Sequence, residues 1–211
     1  MSHEPAEHTR RWRRDLARAA VGLGVLALCM LVVRNGDVGP AEVSVFEAIN
    51  GLPDWLRAPM WVIQVFGSLP FVALAAVVAL VLGRRRLALA IAAAIPLKLA
   101  IEWWVVKELI ERERPSFTVP GAVIRDTNTS PLGFPSGHAI LAFALAGLLA
   151  PYLGRRGRFV VYSLAMLNAV ARVYLGAHNP LDVVAGAAVG LAIAAGLNLA
   201  SGVPGSRPRL A

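Results

Sequence analysis

The chain has 211 residues, of which 57% are hydrophobic and only 16% charged, against about 25% charged in an ordinary soluble domain. Several apolar runs reach the ~20 residues a helix needs to cross a bilayer, and the alternating polarity of a membrane β-barrel is absent. The net charge of +8 lies mainly in short pieces between those runs, so membrane topology accounts for it and nucleic-acid binding does not. The one cysteine, Cys29, sits inside the first apolar run, which excludes an intrachain disulfide and points to inert packing.

Residues 1–15 are polar and basic, with Arg10, Arg11, Arg13 and Arg14 around Trp12. They predict a cytoplasmic tail touching the lipid surface. Residues 16–33 predict a first span. It is retained rather than cleaved as a signal peptide, because no small-residue cleavage site follows Val33. Over 41–57, Val43, Phe46, Ile49 and Leu52 recur at three-residue spacing between Glu42, Glu47 and Asp54. That pattern predicts a short amphipathic helix lying in the interface.

A second span is expected over 60–82, kinked near Gly67 and Pro70, and a third over 87–106. The third carries Lys98 and Glu102 one helical turn apart. Charges at membrane depth commonly mark function. Their position deeper than Lys107 favours instead a pair that neutralises itself within the bundle. Residues 108–135 form the longest connection, and long connections in compact proteins are often functional. Further spans are expected over 136–153, 159–175 and 181–200. In the last, Gly186 and Gly190 have the spacing that permits close helix approach.

The fold expected is therefore all-α, a polytopic bundle of six transmembrane helices plus the interfacial helix. Its parts are a cytoplasmic tail 1–15, a transmembrane catalytic domain 16–200 and a cytoplasmic tail 201–211. With the N-terminus inside, inner segments hold Arg10, Arg11, Arg13, Arg14, Arg18, Arg84 to Arg86, Arg155, Arg156, Arg158, Arg207 and Arg209. That is 13 of the 21 lysines and arginines. The positive-inside rule puts both termini in the cytoplasm. The ends of spans three and five and the starts of four and six then meet at the outer face, in a bacterial-type plasma membrane.

Three polar clusters lie at those ends. The first runs from Lys107 to Arg114-Pro115, the second is Pro135-Ser136-Gly137-His138, and the third runs from Arg172 through His178 to Asp182. Asn179 and Pro180 predict a helix start, with Asp182 in its first turn beside His178. A carboxylate there can fix the imidazole tautomer and leave the other nitrogen free to attack. Complementing the helix dipole would be the plainer role for Asp182.

Ser136 can cap the fourth span, and Gly137 lets a ligand approach the backbone. Free N–H groups at a helix start bind phosphate oxygens, and His138 could then protonate a leaving oxygen. Lys107, Arg114 and Arg172 could each simply snorkel; jointly they suit a phosphoryl group. Arg112 and Arg125 receive no role. Two histidines and a carboxylate could bind a transition metal in principle, but three nearby cations oppose it, and neither metal nor cofactor is expected.

The spacing resembles the signature of the type 2 phosphatidic acid phosphatase superfamily (PAP2): Lys-x6-Arg-Pro, Pro-Ser-Gly-His and Ser-Arg-x5-His-x3-Asp. Ala171 replaces the Ser of the third motif. The resemblance covers residues 60–200 and includes Phe134 and Tyr174-Leu175-Gly176-Ala177. It implies a six-helix fold and metal-independent hydrolysis through a phosphohistidine. His178 would be the nucleophile, Asp182 would orient it, and His138 would be the general acid. Lys107, Arg114, Ser136, the Gly137 backbone and Arg172 would hold the phosphoryl group.

The substrate implied is a membrane lipid carrying a phosphate monoester or diphosphate, such as a polyprenyl diphosphate, phosphatidic acid or phosphatidylglycerol phosphate. The alternatives are a phosphotransferase using the same intermediate and a non-catalytic lipid-phosphate binding or transport protein.

Overall fold

The structure, a computed structural model, describes residues 8–126 and 130–205. The part of the basic tail before residue 8, and Arg207 and Arg209, lie outside the described residues. The chain is almost wholly helical: α1 Trp12–Val32, α2 Pro40–Asn50, α3 Arg57–Gln64, α4 Leu69–Val81, α5 Arg85–Leu109, α6 Gly137–Tyr152, α7 Arg155–Tyr174 and α8 Pro180–Ser201. One two-residue antiparallel pair joins β1 His8–Thr9 to β2 Val203–Pro204.

The helices stand where the apolar runs predict them, but they are not six equivalent spans. Among the described residues three helices are long and apolar enough to cross a membrane: α1, α5 and α8. The expected second span is bent by 55° between Asp54–Gly67 and Leu69–Val81, and it makes a fourth only if counted as one. The break falls at the expected residues. Ser68 is extended there and caps α4, accepting from the Phe71 N–H, and Pro70 lies in the first turn. Proline is tolerated at that position because its missing N–H has no helical partner. Helix α6 is apolar but short, and α7 carries Arg155, Arg156, Arg158, Asn168 and Arg172. The start of α1 also differs from expectation. The helix begins at Trp12, four residues early, and buries Asp15, which accepts from Arg18 at 3.2 Å.

The core is built around α6, whose residues from Ala139 to Leu148 are all buried. It packs on α8 through small residues. A Cβ on Gly186 would lie 2.5 Å from the Ser136 carbonyl, and one on Gly190 would overlap the Ile140 carbonyl. The spacing read from the sequence thus does bring the two backbones together. This packing sets the start of α6 beside the start of α8, and the Ser136 N–H donates to the Asp182 carbonyl at 2.9 Å. The second and third clusters are joined by backbone before any side chain is considered.

Candidate active site

His178 ends the short connection between α7 and α8. That connection is shaped by Gly176, which has φ +71° and packs against the Val123 carbonyl; a side chain there would meet both strain and backbone. Asn179 is extended, and Pro180 opens α8. Asp182 lies in the first turn, as expected. Its Oδ2 accepts the Asn179 N–H at 2.8 Å and stands 3.6 Å from His178 Nδ1. That separation exceeds a hydrogen bond, although contacts of this kind commonly tighten when substrate binds. On the far side of the ring, Arg114 Nη1 lies 3.3 Å from His178 Nε2.

His178 is 3% exposed. Burial pushes its imidazole well below the usual histidine value, and Arg114, Arg172 and Lys107 push it further. A neutral ring results, with one nitrogen toward a carboxylate and the other toward a cation.

The first cluster reaches the same place from the long connection 108–135. Arg114 donates from Nε to the Ser130 carbonyl and from Nη1 to the Ala177 carbonyl, each at 2.6 Å. Burial lowers its pKa, as does the neighbouring Arg172, yet an arginine remains charged in proteins. Lys107 closes α5. Its ammonium lies 3.1 Å from Glu102 and 4.2 Å from the centre of the Trp103 ring. Arg172, near the end of α7, donates to the Gln64 amide and, at 2.7 Å, to Asp126. Ser136 caps α6, accepting from the Ala139 N–H, and His138 follows in the first turn. The sequence-predicted residues therefore converge from α5, α6, α7, α8 and the long connection 108–135.

Two details differ from the sequence reading. On the side where a Cβ would stand, Gly137 faces the protein itself and not open space. A Cβ there would lie 2.7 Å from Lys98 Nζ and 2.8 Å from Glu102 Oε2. Glycine is required because the buried Lys98–Glu102 pair presses against the backbone. The same pair is not isolated in the bundle either. Glu102 bridges Lys98 to Lys107, so the pair of the expected third span reaches the first polar cluster.

Sequence reasoning also missed residues. Arg112 is completely buried and binds both Glu42 and Asp182. Asp126 and Gln64 hold Arg172. Arg125 joins Asp54 to the carbonyls of Asn50 and Tyr174. For Arg112, Arg125 and Asp126 the sequence signal was an excess of charge in a long connection; Gln64, at the end of α3, gave none. Among the described residues no group of three or more His, Cys, Asp or Glu could hold a metal ion.

The PAP2 superfamily model matches residues 85–202, more than half of the chain. Phosphatidylglycerophosphatase B of Bacillus subtilis is 34% identical over 97 residues, 41% of this chain and 45% of that protein. Decaprenylphosphoryl-5-phosphoribose phosphatase of Mycolicibacterium smegmatis is 40% identical over 85 residues, 39% and 43% of the two chains. The matched segment thus spans less than half the length of these curated relatives. The crystal structure of a transmembrane PAP2-type phosphatidylglycerolphosphate phosphatase from Bacillus subtilis superposes with a TM-score of 0.69 at 22% identity, covering 84% of this chain and 94% of that one. With its apolar helices and this transmembrane neighbour in fold, the protein is an integral membrane protein, and it belongs to the PAP2 superfamily.

Proposed function

We propose that the protein is a membrane lipid phosphatase that removes phosphate from a lipid monoester or diphosphate, without a metal, through a phosphohistidine at His178. The observation that carries this reading is the environment of His178. A buried neutral imidazole has Asp182 on its Nδ1 side and Arg114 on its Nε2 side. Binding alone would need the cations but not a positioned nucleophile.

In the proposed sequence, Nε2 attacks phosphorus and the ester or anhydride P–O bond breaks. Asp182 accepts the Nδ1 proton's hydrogen bond and stabilises the charge that forms on the ring. His138 gives a proton to the departing oxygen, then takes one from the water that cleaves the P–N bond. Lys107, Arg114, Arg172, the Ser136 hydroxyl and the backbone at Gly137 balance charge on the phosphoryl oxygens.

The reading includes a membrane placement. Six crossings are proposed within one catalytic domain. Helix α2 lies in the interface, both termini are cytoplasmic, and the site opens at the outer face, where the lipid headgroup enters while its tail stays in the bilayer. The excess of arginine in the opposite turns supports that orientation.

The test is phosphate release by the purified protein in detergent with EDTA, on a panel of lipid monophosphates and diphosphates. Turnover is expected to survive EDTA and to vanish in His178→Ala. Full activity in that variant would overturn the mechanism. Transfer to an added alcohol in place of release would identify a phosphotransferase, and binding without turnover would identify a binding protein.

A further inference from the structure

Arg112 stands two residues before Arg114, at an unspecified position within the first motif, and it is one of the most enclosed charges among the described residues. Its side chain is 0% exposed. One face of the guanidinium meets Glu42 in a two-point contact, Nη1 to Oε1 at 3.1 Å and Nη2 to Oε2 at 2.6 Å. Nη1 also donates to Asp182 Oδ1 at 2.9 Å, and Nη2 to the Asp37 carbonyl at 3.1 Å. Glu42 Oε1 in turn accepts the Leu181 N–H, at the start of α8, at 2.8 Å.

Burial alone would weaken the Arg112 charge; the two carboxylates more than offset it and hold its pKa above the ordinary value. An arginine fully out of water between two carboxylates is costly to assemble and costly to break. A simple loop anchor could be made from carbonyls alone.

We propose that Arg112 and Glu42 are positioning residues that set both the direction and the charge of Asp182, and through it the reactivity of His178. This rests on the phosphohistidine reading given above. The guanidinium fixes Oδ1, which turns Oδ2 toward His178 Nδ1. Glu42 shares the same cation, so Asp182 receives only part of its charge and stays a strong acceptor. The group carrying this control sits on α2, which contributes no other residue to the reaction.

Several further groups face Asp182. They are His178, Arg114 from the outer connection, the backbone of Gly133, and the Cys29 thiol of α1. None of them bridges it to a second carboxylate.

The two residues shift the acid side of the activity profile in opposite directions. Arg112→Gln leaves Glu42 and Asp182 facing each other in a buried space. One carboxyl then takes a proton, so the acid limb of kcat moves to higher pH and kcat falls roughly 10- to 100-fold at neutral pH, the range for groups that orient a reacting ligand. Glu42→Gln leaves Arg112 wholly to Asp182, which weakens it as an acceptor. The limb moves to lower pH and kcat falls several-fold. KM for the lipid changes less than about twofold in both variants, since neither residue meets the phosphate. The double variant returns the limb toward the wild-type position.

The experiment is the pH dependence of kcat and KM for wild type, Arg112→Gln, Glu42→Gln, the double variant and His178→Ala, all purified in detergent. Opposed shifts with KM held support the proposal. A kcat loss with an unmoved limb, or kcat within twofold of wild type, overturns it and assigns Arg112 to fold stability. The isosteric Glu42→Gln decides the matter if Arg112→Gln does not fold. Full turnover in His178→Ala, or none in wild type, sinks the phosphohistidine reading itself and is told apart on those two samples alone.

Discussion

His178 shows how burial and charge act together on one residue. A base attacks only when unprotonated, and its neutral form dominates above its pKa. Burial and the flanking cations push that pKa well below the usual 6.5, so the nucleophile is available throughout the neutral range. The acid limb of phosphoenzyme formation in single-turnover experiments is therefore expected below pH 6.5, and a limb at or above that value would contradict the environment described. The same sign applies to stability. Protons bind the unfolded histidine more readily, so the folded state loses stability as pH falls below 6.5.

Gly137 gives a second test at this scale. In Gly137→Ala, the new methyl meets the ends of Lys98 and Glu102 at 2.7 and 2.8 Å. These ends are flexible, so the protein yields instead of unfolding, at about 1–3 kcal/mol for a methyl forced into filled space. Glu102 also holds Lys107, so activity falls with stability. A Gly137→Ala enzyme with unchanged melting temperature and unchanged activity would show the ion pair to be irrelevant. The Gly and His of this cluster were legible in the sequence because they stand beside each other in a motif. The reason for the glycine was not, since its neighbours arrive from 35 and 39 positions earlier in the chain.

Among elements, the decisive contact is α6 against α8, because it sets both histidine-bearing segments side by side. Gly190→Leu would drive a side chain into the Ile140 carbonyl and Ala144 N–H. A melting temperature well below wild type is expected, measured in detergent, with loss of activity. Gly196→Ala is the control, since nothing lies within 4 Å of that position; alanine there should be neutral or stabilising by about 0.5–1 kcal/mol, the usual helix preference.

Sequence periodicity located these helices well, because apolar runs and small-residue spacing are local signals. It failed where tertiary contacts decide. The break at Ser68 divides one apolar run into two helices. The role of Arg112 depends on Glu42 and Asp182, each 70 residues away. Neither partner could be chosen from a connection that also holds Arg114 and Arg125.

At the scale of the whole molecule, the charge count makes a statement about sides. In a Cys29→Ala background, a cysteine at Pro120 in the outer connection should react with a membrane-impermeant maleimide on intact cells. A cysteine at Arg156 should react only after permeabilisation. Both positions are exposed, so the reverse pattern would invert the proposed orientation and leave the chemistry untouched. The site itself is a product of this scale, since no single helix carries it and five parts of the chain must arrive together.

The small strand pair between His8–Thr9 and Val203–Pro204 constrains the membrane path more firmly than its size suggests. It fastens the segment before α1 to the segment after α8, which supports the proposed placement of both ends of the bundle on one side of the bilayer. A path that starts and finishes on the same side crosses an even number of times. On that placement three crossings, the number of long apolar helices taken alone among the described residues, are excluded by parity. Any shorter or bent helices that cross must do so in a number that makes the total even.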